Sequence, residues 1–137
     1  MKTEMKILLQ RLRLNPIHLI LGLVVLSIGI ALLVNDDFFY WPPEWQWFFN
    51  NDLVDAFAIV IGTGLIAFVF VGGKNQLANA LLLSFSAFFL TVLTVLQIGH
   101  VLVAHDYSRL LSIIAIIGWI LVIQYLTTHS KTVKRRK

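Results

Sequence analysis

Four long apolar stretches, separated by short polar segments, dominate the pattern along the chain. The first runs from Pro16 to Val34 without a charge, and Asn15 and Pro16 supply a helix start signal. The second, Leu53 to Gly73, is charged only at Asp55 and ends in the breaker pair Gly72 and Gly73. The third, Leu77 to Val103, is the longest and is expected to tilt or protrude, whereas the fourth, Leu110 to Leu126, is the shortest. A bilayer core of about 30 Å needs about 20 mainly apolar residues at ~1.5 Å each, so each stretch is a candidate span. Runs such as Leu19 to Leu26 and Ile113 to Ile123 lack the two-residue alternation of barrel strands. Inside hydrocarbon a segment must then satisfy its own backbone, which only a helix does. The pattern predicts an all-α, polytopic integral membrane protein: a four-transmembrane-helix bundle.

Composition agrees with that reading. In 137 residues, 58% are hydrophobic and 13% charged, against about 25% charged in soluble domains. There is no cysteine, which removes disulfides, thiolate metal sites and cysteine nucleophiles. Charge sign is sharply sorted. Lys2, Lys6, Arg11, Arg13, Lys74, Lys131, Lys134, Arg135, Arg136 and Lys137 fall on one side of the predicted spans, with only Arg109 opposite. Asp36, Asp37, Glu44, Asp52, Asp55 and Asp106 fall on the other side, Glu4 being the exception. The positive-inside rule then places both termini in the cytoplasm, as an even span number requires, and the expected location is a bacterial cytoplasmic membrane. A cleaved signal peptide is not expected, because the first apolar stretch is long for one and no small-x-small site follows it.

The connecting segments carry further signals. In residues 1–15, Met1, Met5, Leu8, Leu9 and Leu12 recur at helical spacing while Lys2, Lys6, Gln10 and Arg13 fall elsewhere. This reads either as a basic amphipathic helix on the anionic leaflet or as an extension of the first span. The outer loop, 35–52, packs Phe38, Phe39, Tyr40, Trp41, Trp45, Trp47, Phe48 and Phe49 around Pro42 and Pro43. Trp41, Trp45, Phe48 and Phe49 have helical spacing, so a short interfacial helix is expected. The cluster serves either as an anchoring belt or as a partner or ligand surface. Asp52 and Asp55 read as caps for the second helix, with an ion-binding mouth as the alternative. The tail, 127–137, offers Lys131, Lys134, Arg135, Arg136 and Lys137 to anionic lipid, or is a solvated stop-transfer cluster.

Small residues suggest helix contacts. Gly22 and Gly29 in the first span, and Ala58 and Gly62 in the second, are candidate packing faces. In the third span Ser84, Ala87, Thr91, Thr94 and Ile98 follow one stripe near Ser86 and Gln97, read as a packing face or, alternatively, as a pore lining. Trp119 comes level with Thr94 in a hairpin of the last two spans; it is expected to pack inward and to donate its indole proton to the third helix. His18, His100, His105 and His129 form no pair at common depth with other ligands, so they read as interfacial, with no metal or cofactor.

The missing chemistry narrows function. The spans hold no Lys, Arg or Glu and no Asp deeper than Asp55, which argues against ion-coupled transport. Small multidrug exporters share this size and span number but carry a Glu in the first helix, where this chain has Ser27 and glycines. Phosphate-binding glycine loops and zinc motifs are missing, and His105, Asp106 and Ser108 are too close in sequence to face one another as a triad. A non-enzymatic protein is expected, whose partners are the bilayer and either further copies of itself or a membrane-protein complex, with no nucleic acid. In length and basic tail the chain resembles phage holins, most of which have one to three spans; that resemblance implies self-association and membrane permeabilisation. The alternatives are an accessory, immunity or exclusion protein that binds through Phe38 to Phe49, and a passive channel or small-solute carrier lined by Thr91, Thr94 and Gln97.

Overall fold

A computed structural model describes the backbone of residues 1–135 and the side chains of residues 1–129. The tail side chains of Lys131, Lys134 and Arg135, and all of Arg136 and Lys137, lie outside the described residues. The chain is all-α, with no strand among the described residues. Its helices are α1 (Lys2–Leu14), α2 (Pro16–Val34), α3 (Gln46–Phe49), α4 (Asp52–Val71), α5 (Gln76–Ala104) and α6 (Leu110–Arg135), with single 3-10 turns at Pro43–Trp45 and Tyr107–Arg109. Four helices are long and apolar enough to cross a membrane: α2, α4, α5 and the segment Tyr107–His129.

The break between α1 and α2 falls at Asn15, whose φ of −132° and ψ of 51° are not helical, because the ring of Pro16 disfavours an α conformation in the residue before it. The first segment is thus a separate helix rather than a continuation of α2. Arg11 Nη1 donates to the Phe70 carbonyl at 2.5 Å, placing a cation on the unpaired carbonyls at the end of α4. That helix stops in two left-handed glycines, Gly72 (φ 112°) and Gly73 (φ 66°), and the Gly73 amide closes it by bonding Phe68 O at 2.9 Å.

Helices α2 and α4 are the most intimate pair. A Cβ added at Gly22 would come within 3.0 Å of the Gly62 carbonyl, and one at Gly29 within 2.9 Å of the Ile59 nitrogen and 3.0 Å of the Ala58 Cβ. All four small residues singled out in these two helices therefore lie at one contact, flanked by the buried Leu21, Val25, Leu32, Ile61, Leu65 and Val69. Side-chain capping of α4 comes from Asn51, which accepts from the Leu53 amide at 2.9 Å, not from Asp52 or Asp55. Asp55 is instead buried on the same stripe as Ala58 and Gly62.

Helix α5 corrects the expected packing stripe. Its buried face runs through Leu83, Ser86, Leu90, Leu93, Thr94 and Gln97, whereas Ser84, Thr91 and Ile98 are exposed. The hydroxyls explain why small polar residues mislead. Thr91 Oγ1 donates to Ala87 O at 2.7 Å, Ser86 Oγ to Leu82 O at 2.7 Å and Thr94 Oγ1 to Leu90 O at 2.8 Å. Each is satisfied by its own helix and needs no neighbour. Between α5 and α6 the polar contact is Ser112 donating to Gln97 Oε1.

On α6, Ile113, Ile116, Ile123 and Leu126 are buried. Trp119 is half-buried against the core, but its indole N–H has no hydrogen-bond partner among the described residues. The acceptor expected on the third helix is not supplied, since Thr94 turns its hydroxyl to its own backbone.

Helix α5 has 29 residues and α4 has 20, about 43 and about 30 Å at ~1.5 Å per residue. The excess of α5 carries the loop end of the molecule, where Asn35–Asn51 folds back onto it.

Candidate functional site

The site is organised by His100 near the end of α5, whose side chain is 0% exposed. Its Nδ1 lies 2.7 Å from the Leu96 carbonyl, which can only accept, so Nδ1 carries the proton. Its Nε2 lies 3.2 Å from the backbone nitrogens of both Tyr40 and Trp41, which can only donate. The ring is therefore the neutral Nδ1–H tautomer, and one lone pair holds two loop amides. The sequence reading of His100 as interfacial is corrected: it is buried beneath the loop that it fixes.

Neighbouring residues lock the same loop segment. Phe39, 2% exposed, is clamped by Asn50, which accepts from the Phe39 amide at 3.0 Å and donates to its carbonyl at 2.6 Å. The Trp41 ring lies against Gly99, where even a Cβ would overlap it, so only glycine lets the indole settle on the helix. The Trp41–Pro42 peptide bond is cis.

A second set of bonds ties the loop to the α5–α6 turn. Helix α5 ends with His105 in a left-handed conformation (φ 56°), and Asp106 follows it. The Asp106 carboxylate accepts from Ser108 Oγ at 2.5 Å, Tyr40 Oη at 2.8 Å and Arg109 Nε at 2.9 Å. These donors, Ser108 first, hold its carboxyl well below the usual range. The same bond to Asp106 pushes the Tyr40 phenol up. Arg109 Nη2 donates to Phe38 O at 2.8 Å, and its Cζ lies 4.5 Å from the Phe38 ring centroid and 5.2 Å from that of Tyr40. Nη1 is buried without a hydrogen-bond partner, and the two ring faces supply its electrostatic partner instead.

The eight loop aromatics do not form one belt. Phe39 is buried, Phe38, Trp41 and Phe49 are half-buried, and Tyr40 is exposed but bonded to the turn. The expected short helix is present, as α3 and the 3-10 turn before it, but Trp41 is not on its face. Trp45, Trp47 and Phe48 project from it, 55%, 70% and 44% exposed, and stack edge-to-face, with centroids 6.3 Å apart for Trp45–Phe48 and 6.0 Å for Trp47–Phe48. Beneath them a cavity of about 700 Å³ opens between α4 and α5, lined by Leu32, Phe39, Phe49, Phe57, Phe89 and Leu96 among others, with Asn51 at the loop side. Its size is that of a small-molecule site, but its walls offer almost no polar group to orient one.

The other candidates are dispersed. His18 donates to Asn79 Oδ1 at 2.8 Å at the opposite end of the bundle. His105 and His129 are exposed, and among the described residues no three of His, Asp and Glu gather as a metal-binding group. Sequence reasoning missed His100, Asp106, Arg109 and Asn50 as the fastening. One signal was available: Arg109 is the lone cation on the acidic side of the chain. No family model, curated protein or solved structure matches the chain.

Proposed function

We propose that the chain is a non-enzymatic integral membrane protein that works by binding, presenting its loop-end aromatic platform to a second membrane protein as an accessory, immunity or exclusion factor. The observation that carries this reading is the contrast within one segment. Trp45, Trp47 and Phe48 stay exposed while Phe39 beside them is clamped by Asn50, and Tyr40 and Trp41 are fastened to α5 and the turn that follows it. Exposed aromatics on a fixed backbone lose little conformational freedom on binding, which is the condition for interface hot spots. With the basic segments in the cytoplasm the platform faces outward at the headgroup level.

A photoreactive residue at Trp47, compared with one at the equally open Leu111 on α6, tests it. The reading expects one defined adduct with another membrane protein from position 47, lost in Trp45→Ala and not formed from position 111. Lipid adducts alone from both positions contradict it.

A second reading, self-association of holin type, is favoured by α6. Leu111, Ile114, Leu121 and Tyr125 are exposed, and a Cβ at Gly118 would meet nothing within 4 Å. That leaves a free helix face for another copy, with Ser84 and Thr91 of α5 also unburied. Adducts between two copies from position 111, together with loss of membrane potential on overexpression, would select this reading. Of the residues read as a channel lining, Thr94 and Gln97 are buried and Thr91 is exposed.

A further inference from the structure

We propose that His100 is a proton-operated latch: a proton taken up at Nε2 releases the loop segment 39–41, and with it the Phe39 wall of the apolar cavity. The inference stands on the bonding at the ring. Nδ1–H is committed to the Leu96 carbonyl at 2.7 Å, and the lone pair of Nε2 is the acceptor for the Tyr40 and Trp41 amides at 3.2 Å each. A proton on Nε2 turns that acceptor into a donor facing two donors. Both bonds are lost at once, and two amides are left unpaired beside a buried cation. Imidazole is the side chain whose charge ordinarily changes between pH 5 and 8.

The polar groups that face the ring already have hydrogen-bond partners. From the loop, the Tyr40 ring stands edge-on at 4.4 Å, with Phe39 at 6.2 Å and Trp41 at 6.4 Å. The Tyr40 hydroxyl is committed to Asp106. From the α5–α6 turn, Asp106 already accepts from Ser108, Arg109 and Tyr40, and its depressed carboxyl keeps it ionised across this window. Arg109 is held by Asp106 and Phe38 O. From α5 itself, the Leu96 carbonyl is used by Nδ1. The released segment carries Phe39, which lines the cavity together with Trp47, Phe48 and Phe49. Acid on the loop face would then open the space between α4 and α5 and move the aromatic platform.

The inference deepens the binding reading by giving its platform a control, but its test follows the position of the loop and needs no partner, so either can fail without the other. The full chain is placed in phospholipid nanodiscs, and exchange protection of the Tyr40 and Trp41 amides is measured from pH 7.5 to 5 and corrected for intrinsic rates. Protection is expected to fall about tenfold or more along a one-proton curve, as two lost hydrogen bonds imply, and to stay flat in His100→Gln, whose amide can accept but does not titrate. Unchanged protection in the wild-type chain, or an equal fall in His100→Gln, overturns the latch. Should His100→Gln not fold, the wild-type chain labelled at Glu44→Cys and Val103→Cys gives the second readout. A longer distance at pH 5 than at pH 7.5 supports release, and one unchanged distance overturns it.

Discussion

Gly62 of α4 stands against the backbone of Leu26 on α2, so close that a Cβ would lie 2.5 Å from the Leu26 nitrogen and 2.7 Å from its Cα. No rotamer change relieves a clash with backbone. Gly62→Val is expected to separate the two helices and destabilise the chain by about 1–3 kcal/mol, the range for overpacked interiors. Gly118→Val, in open space on α6, should not destabilise, since helix propensity favours Val over Gly by a few tenths of a kcal/mol. Thermal melts in one detergent compare the two.

The seat of the Trp41 ring gives a second expectation. Gly99→Ala must displace the indole that lies on α5, loosening the loop segment that His100 holds. Acrylamide quenching in a chain whose only tryptophan is Trp41 should rise, with a loss of stability of about 1–3 kcal/mol.

Asp106 and Tyr40 set opposite pH limits on the loop fastening. The Asp106 carboxyl sits below its unfolded value, so its contribution is complete above about pH 4 and disappears as pH falls toward the folded value. The Tyr40 phenol sits above its unfolded value, so its contribution is complete below about pH 10 and is lost as pH rises through the folded value. In a His100→Gln background, whose loop amides stay protected to pH 5, Asp106→Asn should remove the acid limit and Tyr40→Phe the alkaline one, each read as protection of the Trp41 amide against pH.

On the platform, Trp47→Ala should leave stability within about 0.5 kcal/mol, as expected for an exposed side chain outside the fastened loop segment, while abolishing the cross-linked partner. A large loss of stability in this variant would mean that the ring belongs to the fold and not to a binding surface.

What the sequence made legible follows from what hydropathy encodes. Uncharged runs of about 20 residues leave a helix as the only way to satisfy their backbone in lipid, so α2, α4, α5 and α6 could be read directly. The facing of α5 could not, because Ser84 and Thr91 share the helical spacing of Ser86 and Thr94, and hydroxyls bonded within their own helix look the same in sequence on either face. The loop was opaque for a different reason. Phe39 and Trp47 are both aromatic, but one is fixed by Asn50, eleven positions on, and the other faces outward. His100 was the least legible residue, since its partners are backbone amides about 60 positions away that carry no residue signature.

The chain has no native cysteine, so single cysteines report its placement without background. Glu44→Cys beside the platform and Lys74→Cys in the α4–α5 turn, probed in intact cells with a membrane-impermeant maleimide, test the account most directly. It predicts that position 44 is labelled from outside and position 74 only after permeabilisation. Labelling of position 74 from outside, or of both positions alike, would contradict it.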